Sequence, residues 1–378
     1  MSRVGTIGAI ASGIAPPPAI LGEAYIVGNN SSAQTGLGFG GVPETSWIIT
    51  LSNIIQVSAG KDHSMALDSS GNCYIVGGNF YGQVGDGSSG NQIDAWNLSQ
   101  TNVKAIAAGA YHSMVLKNDG TLWMVGRNDF SQVTADGTFT TPITTWTQSQ
   151  VGTTITKIAA GENYSISLDN AGNCDTVGDN NTGQMGLGNT TSPIGTWTQS
   201  KTGIKEIAAG FTHSIVIDTA NECWFTGNNL SGQTGTGSTS SSIISWQNNY
   251  SNVKKAAAGI NHTMVLTNTG DCYTVGGNSF GQLGIGGASA TVLTWSLVRS
   301  GIKDISCGLY HTLALDQNGD CYIVGKNTDG QISNGTTTSP VLAWNTSLSP
   351  DVLALGTESN ATVSIAVKSN ATVSIAVK

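Results

Sequence analysis

Val57-Ser58-Ala59-Gly60-Lys61-Asp62-His63-Ser64-Met65-Ala66-Leu67-Asp68, followed by Gly71-Asn72-Cys73-Tyr74-Ile75-Val76-Gly77-Gly78-Asn79, is the stretch that decides the fold. It returns six more times in recognisable form. The glycine of its Ala-Gly step falls at Gly60, Gly109, Gly161, Gly210, Gly259 and Gly308, with a degenerate copy at Gly356. The later Val-Gly or Thr-Gly step falls at Gly28, Gly77, Gly126, Gly178, Gly227, Gly276 and Gly325, at intervals of 49, 49, 52, 49, 49 and 49 residues. A period held over the whole chain marks a repeat architecture.

Within one period the apolar residues form short runs, Ile54 to Ala59, His63 to Leu67, Cys73 to Val76 and a fourth around Trp96, each broken by Gly, Asn, Ser or Asp. Such runs predict strands, and no stretch carries a sustained helical period. A four-stranded sheet of this size cannot bury both faces alone, so it needs a neighbour on each side. Radial packing supplies the neighbours, and the expected fold is all-β: a seven-bladed β-propeller of four-stranded antiparallel blades. The N-terminal segment from Ala24 holds only the second half of a unit, and the segment from Val352 to Lys368 holds only the first half. The two half-blades are expected to pair, closing the ring without an open edge.

The run Ala-Gly-x-x-His-Ser-x-x-Leu, then Gly-x-x-Tyr-x-Val-Gly-x-Asn-x-x-Gly-Gln-x-Gly, resembles the repeat of the regulator of chromosome condensation family. Its fullest copy is Gly276-Gly277-Asn278-Ser279-Phe280-Gly281-Gln282-Leu283-Gly284. The resemblance covers roughly nine-tenths of the chain. It implies a seven-bladed propeller, on which relatives carry nucleotide exchange on a small GTPase, chromatin binding or inhibition of β-lactamases. A shared fold does not choose among these.

The repeat divides the chain into a Pro-containing arm (1–21), the propeller (22–368) and a tail strand (369–378) in which Ser359 to Lys368 recurs identically. The arm has an apolar run, Val4 to Ala15, broken by glycines, then Pro16-Pro17-Pro18; it is a poor signal peptide, no membrane span follows, and order there requires docking on the propeller or another subunit. The tail copy reads equally as a spare strand, a tail or a recent duplication.

Only 10% of residues are charged, glycine numbers 50, and 15 basic against 23 acidic residues leave a net charge of −8. No basic patch is evident along the chain, so nucleic acid is not an expected partner. Cys73, Cys174, Cys223, Cys272 and Cys321 share one position in five units, too far apart for bonding, and read with Cys307 as buried filler. His63, His112, His213, His262 and His311 each stand three residues after the Ala-Gly glycine, with Tyr164 in the remaining copy. Spread around a ring they cannot converge on one ion, and buried hydrogen bonding to strand backbone is the expected role. The repeated Asn of Gly-x-Asn and the Gln four residues later read as loop locks. Trp47, Trp96, Trp146, Trp197, Trp246, Trp295 and Trp344 read as packing between blades.

Recognition is expected where the repeats disagree. The two residues between Gly and His vary, and Tyr111, Phe211, Ile260, Leu309 and Tyr310 would form an apolar arc on one face of the disc. A second variable set, after Gly-x-Asn, holds Phe80, Tyr81, Phe130, Leu230 and Phe280. Partial burial under neighbouring loops is the competing reading of both sets. No nucleophile–base pair, phosphate-cradling loop or metal spacing is present, so the expectation is a non-enzymatic protein with no cofactor and no metal. The low-charge Gly/Ser/Thr/Asn composition suggests a subunit of a large assembly, foremost a bacteriophage virion component such as a tail, fibre or appendage protein, contacting other subunits or a host protein or glycan. A bacterial surface or secreted binder of protein or glycan is the alternative, and a nucleotide-exchange regulator of a small GTPase the second.

Overall fold

The computed structural model describes residues 22–38, 41–150, 154–348, 352–355 and 363–369. The arm, Gly356 and the repeated tail beyond Ser369 lie outside them. The strands in chain order are β1 (Gly22–Gly28), β2 (Glu44–Ala59), β3 (His63–Asp68), β4 (Cys73–Asn79) and β5 (Asn91–Gln100). Next come β6 (Val103–Ala108), β7 (His112–Lys117), β8 (Leu122–Gly126), β9 (Ile143–Gln150), β10 (Ile155–Ala160), β11 (Tyr164–Asp169), β12 (Cys174–Gly178) and β13 (Ile194–Lys201). Then follow β14 (Ile204–Ala209), β15 (His213–Asp218), β16 (Cys223–Asn228), β17 (Ser242–Tyr250), β18 (Val253–Ala258), β19 (His262–Thr267), β20 (Cys272–Asn278) and β21 (Ser289–Arg299). The last are β22 (Ile302–Cys307), β23 (His311–Asp316), β24 (Cys321–Gly325), β25 (Val341–Leu348), β26 (Val352–Leu355) and β27 (Val363–Ser369).

These strands form an all-β propeller of four-stranded antiparallel blades, and every pairing is antiparallel between sequence neighbours except β1 with β27. Five sheets have four strands and a sixth has seven, in the order β26-β27-β1-β2-β3-β4-β5. The expectation of seven separate sheets is corrected here to six. The reason is local: elsewhere a short turn separates one unit's outer strand from the next unit's inner strand, whereas β2 runs through Asn53 and pairs with β1 along its first part and β3 along its last. Asn53 is left-handed (φ 62°), as are Asn102, Asn252 and Gly301 in the corresponding turns. β1 pairs with β27 from Gly22 with Ser369 to Gly28 with Val363.

Packing explains the patterns. A strand in the middle of a blade has neighbours on both faces, so β3 and β11 are buried at every residue, while the outer β13 and β25 are half-exposed. Core clusters span neighbouring sheets: Met65, Leu67 and Ile75 meet Val103, Ile106 and Val115, and Leu313, Leu315 and Ile323 meet Val352, Leu355 and Ala366. Each fully buried Leu, Ile or Met contributes roughly 1.5–3 kcal/mol. The tryptophans sit on the same seams: the Trp146 indole donates to Ser99 Oγ at 2.9 Å, Trp246 to Ser200 Oγ at 2.7 Å, and Trp47 of β2 to Ser347 Oγ of β25 at 2.7 Å. Gly85 (φ 75°) lies against the Trp146 ring, where a β-carbon would overlap the indole. All six cysteines are free and buried.

The histidines form a belt between blades with hydroxyl groups as partners, and the strand backbone expected from sequence is met at His311, through Val363. His63 Nε2 meets Ser113 Oγ at 3.0 Å, His213 meets Thr263 Oγ1 at 2.9 Å, His262 meets Thr312 Oγ1 at 2.9 Å, and His311 meets Ser364 Oγ at 3.0 Å. Ser113 Oγ gives its one proton to the Gln83 carbonyl (2.8 Å), so it accepts from His63 Nε2–H. The hydroxyl earns its place in the repeat because it alone both donates and accepts there. At the remaining copy Tyr164 reaches further and donates to the His213 carbonyl at 2.7 Å.

Candidate functional site

Two kinds of loop build one face of the disc. In the Gly-x-x-His loop the Gly60 N–H closes onto the His63 carbonyl at 2.8 Å, and Gly109, Gly210, Gly259 and Gly308 do the same onto their histidines, which leaves the intervening residues half-exposed, apart from the buried Ala110. The Gly-x-Asn loop is fixed by its own polar residues: Asn79 Oδ1 accepts from Val84 N at 3.0 Å, and Gln83 Oε1 from Tyr81 N at 2.9 Å. The loops are joined because the residue after the Gly-x-Asn glycine donates its N–H to the residue before the histidine, as Arg127 does to the Tyr111 carbonyl (2.9 Å) and Lys326 to the Tyr310 carbonyl (2.9 Å).

This register brings a residue of one blade's Gly-x-Asn loop against the next blade's Gly-x-x-His loop. Tyr81 meets Tyr111 with ring centroids 5.1 Å apart, and Phe280 meets Tyr310 at 5.0 Å. Both separations suit tilted aromatic contact. The predicted arc is therefore divided. Phe211, Ile260 and Leu309 follow one another round the inner edge, with Phe211 N donating to the Gly259 carbonyl and Ile260 N to the Leu309 carbonyl, both at 3.2 Å; with Tyr310 and Phe280 they form an apolar segment. Tyr111 is separated from them by Glu162 and Asn163. Phe130 is half-buried, whereas Phe80 and Leu230 are exposed, Leu230 to 61%.

Around the Tyr81–Tyr111 pair the structure adds charges that the apolar reading did not include. Lys61 Nζ donates to Tyr111 Oη at 2.6 Å. The Arg127 guanidinium lies 5.3 Å from the Tyr81 ring centre and 5.7 Å from that of Tyr111, within cation–π range, and pairs with Asp129 at 2.5 Å. Burial pushes the Glu162 carboxyl up, with Asp179 adding to the rise and Arg127 and Lys61 opposing it. Burial likewise raises Asp62, against the pull of Lys61. Arg127 stands where Gly78 and Gly277 stand in other units, and that break of pattern was its signal in the sequence.

The opposite face corrects the expectation of no basic patch. Each inner strand carries a β-bulge near its start, since Ile204 pairs with Asp218 and Glu206 with Ile217, leaving Lys205 as the extra residue. The same register places Ile55, Lys104, Thr156, Lys254 and Lys303 at bulges. Lys157 pairs with Glu206, and Lys255 with Asp304 at 2.5 Å, each across two blades. These lysines lie about one period apart in the chain, so no local run announces them. Among the described residues no three His, Cys, Asp or Glu side chains form a metal-ligand set, and no helix is long and apolar enough to cross a membrane.

A radial all-β disc whose blades are locked by five imidazole–hydroxyl links and one tyrosine among the described residues is a repeat propeller. The RCC1-like domain model matches residues 98–378, and the Regulator of chromosome condensation (RCC1) repeat model matches residues 54–83, so the chain belongs to the RCC1-like propellers. Solved structures share the fold. Human WBSCR16 is similar with a TM-score of 0.79 and 16% identity over 92% of this chain and 98% of its own. Prp20p of Saccharomyces cerevisiae, described with its binding properties to Gsp1p and histones, gives a TM-score of 0.78 and 20% identity over 93% of this chain and 92% of its own. The same yeast protein bound to Kap60 gives 0.78 and 19%, over 93% and 89%. A search of curated proteins finds no match.

Proposed function

We propose that this chain is a non-enzymatic, protein-binding propeller that holds its partner on the face made by the Gly-x-x-His and Gly-x-Asn loops. The observation that carries this reading is the placing of Phe211, Ile260 and Leu309 beside the Phe280–Tyr310 pair, next to the charged Tyr81–Tyr111 pair. Clustered aromatic and cationic residues on a rigid scaffold are the usual anchors of protein contacts. The proteins that Prp20 binds support a protein as the kind of partner. Cross-linking of the full chain within its native complex tests the reading: links should fall on residues 61–62, 111, 260 and 309–310, and links confined to the opposite face or the rim overturn it.

The setting we propose is a large assembly, foremost a phage virion, with a bacterial surface or secreted location as the alternative; its support is compositional. Mass spectrometry of purified particles decides it, and absence from particles removes it. The seven-stranded sheet is proposed to be two blades fused through Asn53, giving seven units closed by β1 on β27. What supports this is the double pairing of β2 and the contact of β26 with β22 and β23. Truncation after residue 355 should then abolish cooperative unfolding; an unchanged transition rejects closure.

A second reading, regulation of a small GTPase by nucleotide exchange, is favoured by the likeness to Prp20. Nucleotide release from a panel of small GTPases, with the wild-type chain and Tyr111→Ala, tests it. No acceleration by the wild-type chain removes it.

A further inference from the structure

The mouth of the central channel opposite the aromatic face concentrates positive charge in an acidic protein. Lys157, Lys205, Lys254, Lys255 and Lys303 stand on four successive inner strands, β10, β14, β18 and β22, against two acids there, Glu206 and Asp304. Both acids are already paired, Glu206 with Lys157 and Asp304 with Lys255. Lys205 is held by Asn221 and Lys303 by the Val352 carbonyl at 3.2 Å, whereas Lys254 is exposed and makes no hydrogen bond or ion pair among the described residues.

Beneath Lys254, Lys255 and Lys303 lies a cavity of about 320 Å³. Its floor is apolar, made by Ile207, Ala208, Ile215, Ile217 and Ala256, and its rim holds those lysines with Glu206 and Asp304. A simple inorganic anion would satisfy the rim and leave the floor against water. A ligand that fits both carries negative charge and an apolar group together.

The surroundings select its shape. The turns at the same end of each blade carry Asp169, Asp218, Glu222, Asp271, Asp316 and Asp320, several of them occupied in closing their own turns, as Asp218 is by Ala220 N and Glu222 N. With Lys117, Lys201 and Arg299 ending β7, β13 and β21 among them, they make an outer ring of mixed charge in which acids outnumber bases. An extended polyanion lying across the disc, such as duplex nucleic acid, meets that ring. A single chain entering along the axis avoids it and reaches the lysines first.

We propose that this mouth is a docking site for an acidic peptide segment that sets an apolar side chain into the cavity and its carboxylates on Lys254 and the neighbouring lysines. The site lies on the face opposite the proposed partner surface, so either can fail without the other.

The test is fluorescence anisotropy of the full chain with a labelled peptide in which Glu alternates with Leu. Saturable binding is expected, weakening with added salt. Lys254→Glu should weaken it by roughly tenfold and Lys254→Gln by less, because a charge removed costs less than a charge reversed. Lys326→Glu, on the aromatic face, should leave it unchanged. Lys254 is exposed and unpartnered, so its variants keep the fold, which circular dichroism checks. No saturable binding, equal binding by Lys254→Glu, or equal affinity for a peptide with Ser in place of Leu overturns the proposal, as does tighter binding of tripolyphosphate or duplex DNA than of the peptide.

Discussion

The belt between the blades and the loops above it occupy the same repeats, one or two residues apart, yet they follow opposite rules. His63, His112, His213, His262 and His311 are completely buried, each linked to a hydroxyl of the next blade, and the repeat hardly varies there. The residues just before them, Asp62, Tyr111, Thr212, Asn261 and Tyr310, are half-exposed and never settle on one chemistry. The belt is what every seam needs, so every unit supplies it. The loops have no common structural task beyond their backbone bonds, and their side chains are left to recognise something.

Acid should break the belt most severely. Burial pushes His63, His213 and His311 down to about 4 and His112 and His262 to about 3, from an ordinary 6.5. With a folded pKa below the unfolded one, each histidine's contribution is whole above pH 6.5 and is lost as pH falls toward the folded value. At pH 5 that loss is about 2 kcal/mol for each. Five such losses rival the whole stability of an ordinary domain, roughly 5–15 kcal/mol. Tryptophan fluorescence should show unfolding near pH 5, and a chain still folded at pH 4 would contradict the account.

Single changes in the seams come next. Gly85→Ala places a β-carbon in the Trp146 ring at a left-handed backbone position and should cost about 3 kcal/mol or more in urea unfolding. His213→Ala removes a buried ring and its bond to Thr263, for an expected loss of roughly 2–4 kcal/mol. A loss under about 1 kcal/mol would put the belt outside the structure's main supports.

Changes in the loops should do least to stability. Tyr111→Ala and Phe280→Ala each remove one aromatic contact and are expected to cost about 1 kcal/mol or less. Lys61→Gln, which loses the bond to Tyr111 Oη, should fall within about 0.5 kcal/mol. Thermal unfolding of all three checks this, and a loop variant as damaging as His213→Ala would erase the distinction between the two regions.

The blades were legible because a glycine-punctuated period leaves little freedom, and the buried cysteines and loop-locking Asn and Gln followed from it. The count of hydrogen-bonded sheets was not, because whether β2 runs on through Asn53 depends on the turn's geometry and not on residue type, as Asn102 occupies the same conformation between separate strands. The hydroxyl partners of the histidines lie in the next repeat, about 50 residues along, where a serine looks like any other strand serine. The lysine mouth was invisible for the same reason: bulge register and ring geometry assemble it, while the chain shows one or two lysines at a time. The aromatic face was half legible, since Tyr111 and Tyr310 stood out by type but their pairing with Tyr81 and Phe280 depends on one blade meeting the next.

Tyr164 gives one seam a different character. Its phenol does not take up a proton on mild acidification, and it ties β11 to the blade of β14 through a carbonyl. Where imidazoles would take on charge, this fastening stays neutral, so the blades beginning with β10 and β14 should be the last pair to part as the pH falls.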